Sequence, residues 1–274
     1  MVELQADANC AVRAVELTKR FGNVTAVDHA SMSVRTGEIF GLIGPNGAGK
    51  STLAKMLTTL LPPISGLAFV AGYEIARQPG EVRRRIGYVP QTLSADSALT
   101  GLENMMLSAG LYGIPLRQQT SRVTEALATM GLTDVAQRLA GQYSGGMIRR
   151  LEIGQSVLHR PAVLFMDEPT VGLDPTSRNN VWAHLLELRK ATQTTMLITT
   201  HYMKEAEEHY DRIAIIAGGR ILAIGTPAEL RAKAVGSESL EDAFEYLVGM
   251  KSENEVQTGY DRVGSDRRAA QQHG

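Results

Sequence analysis

The stretch IFGLIGPNGAGKST, residues 39–52, decides how the rest of this chain is read. Its first six residues are an apolar, strand-like run that ends in glycine. GPNGAGKS, from Gly44 to Ser51, then fits the spacing G-x-x-x-x-G-K-[ST], and helical patterning starts at Lys50. Glycines 44, 47 and 49 let successive backbone N–H groups curl into an anion-binding nest, and the positive end of the following helix points at the same place. Lys50 is placed to reach the outer phosphates of a nucleoside triphosphate. The Ser51 hydroxyl is placed to ligate Mg²⁺, and Thr52 to add a further phosphate hydrogen bond. The predicted nucleotide cradle is therefore Gly44, Pro45, Asn46, Gly47, Ala48, Gly49, Lys50, Ser51 and Thr52.

Such a loop needs a carboxylate at the end of a neighbouring strand to hold Mg²⁺. Asp167 closes the apolar run VLFM and meets that need, which makes Ser51 and Asp167 metal-ligand candidates. Glu168 follows directly. A carboxylate one residue beyond the metal-binding one can orient and partly deprotonate the water that attacks the terminal phosphate.

Working outward, strand patterns at 12–17, 26–35, 67–71 and 86–89 give way to helical spacing from about 92 to 160, a helical insert. After it, AVLFMDEP reads as a buried strand, PTSRNNVWAHLLELRKA as a helix starting on proline, TTMLITTH as a strand and MKEAEEHY as a helix. Strands at 213–217 and 220–224 and helices near 227–235 and 239–248 complete the pattern. Lys50 to Leu61 is expected to be one helix stopped by Pro62-Pro63. Alternating strands and helices predict an α/β fold whose sheet core is mostly parallel and covered on both faces. The polar, aperiodic stretch 250–274 is expected to be a disordered tail.

Composition removes several function classes. The 274 residues are 43% hydrophobic and 21% charged with a net charge of −1, an ordinary globular balance without a nucleic-acid footprint. Cys10 is the single cysteine, which excludes an internal disulfide and any cysteine-based zinc site and suits a reducing compartment. No run approaches the ~18 apolar residues of a membrane span, and the first residues lack the order of a secretory signal. A soluble protein is expected, with any membrane role exercised through a partner.

At this point the chain resembles the nucleotide-binding subunit of ATP-binding cassette (ABC) transporters, in order from about residue 12 to 249. The residues carrying the resemblance are Phe21, GPNGAGKST (44–52), Gln91 in YVPQ, YSGGM (143–147), VLFMDEPT (163–170), GLDP (172–175) and His201 in TTHYMKEAE. It implies a P-loop NTPase core with an antiparallel β subdomain and the helical insert, an ATPase domain over residues 11–249, and ATP with Mg²⁺ as ligands. Phe21 would stack under adenine. Gln91 would reach Mg²⁺ and the attacking water, and His201 would hydrogen-bond the γ-phosphate. Glu168, His201 and Gln91 are thus the implied catalytic set. Ser144, Gly145 and Gly146 would close on the γ-phosphate held by a second copy of the chain, and Asp174 lies in the turn that crosses that boundary. The resemblance implies head-to-tail pairing of two such chains, identical or related, with two ATP molecules in the seam.

The wording departs from the family's commonest LSGGQ: Tyr143 and Met147 replace leucine and glutamine, and methionine cannot offer the amide's hydrogen bonds. SGGM before a basic helix, EPTVGLDP and SLEDAFEYLVG (239–249) are similar to the daunorubicin-resistance and nodulation-factor type of exporter ATPase. The resemblance implies a cytoplasmic subunit, peripheral on the inner face of the membrane through a separate transmembrane permease. The insert, especially 92–115 with Met105, Met106 and Leu107, would dock that permease unless those side chains are core. Two other readings compete: a soluble cassette ATPase of DNA repair or ribosomes, which typically carries long coiled-coil arms or two cassettes, and a module that binds ATP without turnover, against which Glu168 and His201 argue.

Overall fold

The computed structural model describes residues 9–234, 237 and 239–249. The proposed tail at 250–274 lies outside them. Two sheets organise the described residues. Strands β1 (Cys10–Phe21), β2 (Val24–Arg35), β4 (Ser65–Val70) and β5 (Tyr73–Glu74) form an antiparallel sheet in the order β2-β1-β4-β5. The second sheet combines β3 (Ile39–Ile43), β6 (Ile86–Val89), β7 (Val163–Asp167), β8 (Thr195–Thr200), β9 (Arg212–Ala217) and β10 (Arg220–Gly225) in the order β10-β9-β3-β8-β7-β6. Its members are parallel except for β10, which folds back on β9. The α/β expectation, parallel core plus antiparallel subdomain, is met.

Both faces of the parallel sheet are buried, which is why its strands read as near-continuous apolar runs. Alternation sorts their side chains: Ile39, Ile43, Leu164, Met166, Met196 and Ile198 join a core with Met105, Met130, Trp182 and Leu185. Phe40, Leu42, Phe165 and Leu197 face the other way, against Leu17, Leu53, Met56 and Leu57. Each large side chain buried in this way contributes about 1.5–3 kcal/mol.

The chain between β6 and β7 holds α3 (Gly101–Leu111), α4 (Leu116–Thr129) and α5 (Gly145–Val157). Thr100 and Glu103 close a capping box that starts α3. Pro175 opens α6 (Pro175–Thr192), and α7 (Met203–His209) and α8 (Pro227–Lys233) follow their strands, with a further helical stretch at 240–249. Met105 is fully buried, so it is core, whereas Leu107 is exposed.

Two sequence expectations change. Helix α1 (Lys50–Leu57) ends well before Pro62 because Thr59 turns into the left-handed region (φ 63°). Leu60 N–H then donates to Lys55 O and Thr59 N–H to Met56 O, the paired bonds of a Schellman stop. A short helix α2 (Pro79–Arg85), with Val82 as its buried residue, occupies a stretch for which no helix was expected.

Candidate functional site: a nucleotide cleft and a separate glycine turn

Parallel register brings the C-terminal ends of β3, β8, β7 and β6 to one edge. Ile43 lies opposite Thr200, Asp167 opposite Thr199, and Val89 opposite Met166. The segments that follow, residues 44–51, 201, 168 and 90–91, therefore emerge side by side, where open α/β sheets bind ligands.

Local backbone makes the first of these a cradle. Gly47 and Gly49 have φ of 80° and 104°. A Cβ on Gly49 would lie 2.3 Å from the carbonyl oxygen of Ala26, so β2 closes against the loop there and only glycine fits. Gly49 caps α1 with no side-chain hydrogen bond, which leaves the first N–H groups of the helix available to an anion. The result is a cleft of about 360 Å³ lined by Ala26, Asn46 through Thr52, Gln91 and Glu168.

Charges converge on the cleft floor. Lys50 is buried, and its Nζ donates to the carbonyls of Gly44 (2.8 Å) and Pro45 (3.2 Å) and lies 3.5 Å from Glu168 Oε1. Glu168 Oε2 lies 3.2 Å from His201 Nδ1, so this carboxylate stands between an ammonium and an imidazole. Its backbone is in the left-handed region (φ 49°), strained for a residue with a side chain, and is held there by Glu168 N–H donating to Thr199 O at 3.0 Å. Asp167 Oδ1 accepts from Ser51 Oγ (3.0 Å) and from Thr199 Oγ1 (2.5 Å). Ser51 and a buried carboxylate on a facing strand are thus already oriented on one another.

These oxygen donors fit a hard divalent cation such as Mg²⁺. Among the described residues no three His, Cys, Asp or Glu side chains cluster as a metal cage. One carboxylate plus one hydroxyl suits a cation that takes its remaining ligands from phosphates and water.

The other predicted residues stand apart. Ser144 is the N-cap of α5 and its Oγ accepts from Met147 N–H at 3.3 Å. Ser144 and Gly145 are exposed, and the residues lining the cleft do not include either of them or Gly146. Asp174 caps α6, accepting from Ser177 N–H at 3.0 Å, and these hydrogen bonds to Ser177 hold its carboxyl below the usual carboxylate range. Phe21 is half-exposed at the β1–β2 turn, paired with Val24 near the strand that contributes Ala26, with Lys19 Nζ 5.6 Å from its ring centre. Tyr143 lies over Gly101 and donates to Val135 O at 2.7 Å, and Met147 packs against the helical core. At this chain's two departures from LSGGQ, side-chain packing replaces a leucine and a polar amide.

Sequence reasoning missed Thr199, which orients Asp167, and Ala26, which forms the cleft wall. It also missed Arg149, in the run read as basic: this side chain is buried and donates to the carbonyls of Pro90 and Gln91, both at 2.7 Å.

The family described as "ABC transporter" matches residues 27–171. The chain is 45% identical over 231 residues to the daunorubicin resistance ATP-binding protein DrrA2 of Streptomyces coeruleorubidus, covering 84% of this chain and 71% of that one. It is 40% identical over 230 residues to the linearmycin resistance ATP-binding protein LnrL of Bacillus subtilis, covering 84% and 74%. It is 39% identical over 241 residues to the probable multidrug ABC transporter ATP-binding protein YbhF of Escherichia coli, covering 86% of this chain and 41% of that longer one. Among solved structures, an ATP-binding subunit of an ABC transporter superposes with a TM-score of 0.76 at 28% identity, covering 86% and 99%. The ADP conformation of MJ1267, an ATP-binding cassette of an ABC transporter, gives 0.74 at 27% identity, covering 86% and 98%. These likenesses favour transport over the DNA-repair or ribosomal reading. The chain belongs to the ABC transporter family, as an ATP-binding subunit that hydrolyses ATP.

Proposed function

We propose that this chain powers an exporter: two copies close on two ATP molecules, and hydrolysis reopens them, moving a separate membrane subunit. Residues 11–249 form the ATPase domain, with 92–160 as its insert. The observation that carries the reading is the separation just described. The cleft gathers Lys50, Ser51, Gln91 and Glu168, while Ser144 and Gly145 are exposed outside its lining. A helix N-terminus with adjacent glycines suits a phosphate, and a second chain can present one.

Within the cleft, loop N–H groups and Lys50 grip the phosphates, Thr52 adds a hydrogen bond, and Phe21 stacks on adenine. Ser51, Asp167 and Gln91 would hold Mg²⁺, which would supply charge neutralisation at the outer phosphate oxygens. Glu168 accepts a proton from the attacking water as the water's oxygen bonds to the γ-phosphorus, and the bond from that phosphorus to the β–γ bridging oxygen breaks, releasing ADP and phosphate. His201 orients Glu168 and bonds the γ-phosphate. Ser144, Gly145 and Gly146 of one chain complete the site of the other, with Asp174 at the seam. Loss of the γ-phosphate that both chains grip removes the differential binding energy of the closed state.

We place the permease against the insert, where Leu107, Leu111 and Tyr112 are exposed along a groove. Among the described residues no helix is long and apolar enough to cross a membrane; we place the chain on the cytoplasmic face through that partner. The drug-resistance names of the relatives support export. No nucleic-acid partner is proposed.

The test is Glu168→Gln with ATP and Mg²⁺. Light scattering is expected to find a dimer with ATP and a monomer with ADP. A monomer under both conditions, with nucleotide bound, removes the two-chain reading.

A further inference from the structure

The segment that carries Gln91 is strapped to the helix that carries the glycine turn. Arg149, in α5, is buried, and its two terminal nitrogens donate to Pro90 O and Gln91 O at 2.7 Å each. The same guanidinium lies 3.0 Å from Glu152 Oε2, an ion pair buried on both sides. The other oxygen of Glu152 accepts from the backbone N–H and the hydroxyl of Ser94. Segment 90–94 is therefore gripped at both ends by two side chains one helical turn apart. Gln91 itself is exposed and lines the cleft, so its own amide is not what fixes it.

Two buried charges are costly to desolvate, and a pair alone is a weak source of stability. Here their hydrogen bonds go to a loop that would otherwise be free to move. A planar fork spans two adjacent carbonyls in one fixed geometry, which a single ammonium does not reproduce. Ser144, the N-cap of α5, precedes Arg149 by five residues, about 7.5 Å along a helix. A rigid displacement of the exposed end of α5 must then drag the carbonyls of residues 90 and 91.

We infer that Arg149, backed by Glu152, is a positioning residue that sets Gln91 in its own cleft according to the position of the Ser144 turn. The inference rests on the proposed site, in which Gln91 faces the reacting phosphate and Ser144 meets the nucleotide of a second chain. Its consequence is that each chain's cleft senses whether the opposite one is filled, through one guanidinium.

The experiment compares the full-length chain with Arg149→Lys, Gln91→Ala and the double variant, reading kcat, KM, the Hill coefficient for ATP and the melting temperature. Arg149→Lys keeps a cation beside Glu152, and Arg149→Met/Glu152→Gln removes both charges should the lysine variant fold poorly. Misplacement of a positioned group costs on the order of tenfold to a hundredfold in rate. A loss of that size is expected in kcat for Arg149→Lys, with KM held within about twofold and the Hill coefficient falling toward one. The double variant is expected to be no slower than Gln91→Ala alone. Wild-type kcat in both Arg149 variants, or losses that multiply in the double variant, overturns the inference while leaving the site intact. Wild-type kcat in Gln91→Ala overturns the reading of Gln91 and the inference with it.

Discussion

Gly146 and Ser177 touch at the start of two different helices. A Cβ on Gly146 would fall 2.8 Å from Ser177 Cβ and 2.9 Å from its Oγ. The second glycine of the Ser-Gly-Gly turn therefore lets α5 approach α6 and the cap made by Asp174. Gly146→Ala gains about 1 kcal/mol of helix propensity and loses about 1–3 kcal/mol to overpacking. A net loss of stability of about 1 kcal/mol is expected in chemical denaturation. Ser177→Gly should cost less in that background than in the wild type, a coupling that a double-mutant cycle reads directly.

Asp167 is held by two hydroxyls on one oxygen, from Ser51 and Thr199. Asp167→Asn keeps the shape and removes the charge that favours a divalent cation. The Mg²⁺ concentration for half-maximal hydrolysis should rise by tenfold or more, about 1.4 kcal/mol, while ATP binding in EDTA changes little. Thr199→Val should give a smaller shift of the same sign. An unchanged Mg²⁺ titration in Asp167→Asn would move the metal site elsewhere.

Much of this was legible because parallel strands buried on both faces leave long apolar runs, and because IFGLI and VLFMD each run up to a segment of the proposed site. The first two strands were harder. Glu16 and His29 adopt positive φ, and the β1–β2 register shifts along its length, so neither strand keeps one alternation over its 12 residues. Helix α2 has Val82 as its buried residue and ends in Arg83, Arg84 and Arg85, which leaves no apolar stripe to read. Arg149 read only as part of a basic helix, because spacing alone cannot distinguish an exposed Arg149–Glu152 pair from a buried one. Their three-residue separation was the available signal. That Ser144, Gly145 and Gly146 fall outside the cleft lining follows from no local pattern at all.

His159 reports on the boundary between the insert and the sheet. Its ring stacks on Tyr112 with centroids 4.0 Å apart, and its Nε2 lies 2.9 Å from the Ile86 carbonyl. Burial pushes its pKa below the usual histidine value, opposed by the hydrogen bond to Ile86 and reinforced by Arg122. The unfolded chain therefore takes up a proton, near pH 6.5, before the folded chain does. Stability contributed by neutral His159 is fully present above that pH and is lost as pH falls toward the lower folded value. His159→Gln should flatten the decline of stability from pH 6.5 downward relative to the wild type. Parallel pH curves for the two proteins would place the proton uptake on another group.

Ser144 is exposed at the N-terminus of α5 and lies outside the lining of the cleft made by its own chain. Arginine at this position leaves Lys50, Ser51 and Asp167 untouched but sets a bulky side chain where a second nucleotide is proposed to dock. Ser144→Arg in the Glu168→Gln background should keep the affinity of the single chain for a fluorescent ATP analogue within about twofold and abolish the ATP-induced dimer. Lys50→Ala supplies the opposite pattern, because it removes the buried cation of the loop and should cost nucleotide binding itself. If Ser144→Arg weakened binding as severely as Lys50→Ala, the turn would be acting on the nucleotide of its own chain. The two faces would then form one site, and ATP could not serve as the adhesive between two subunits.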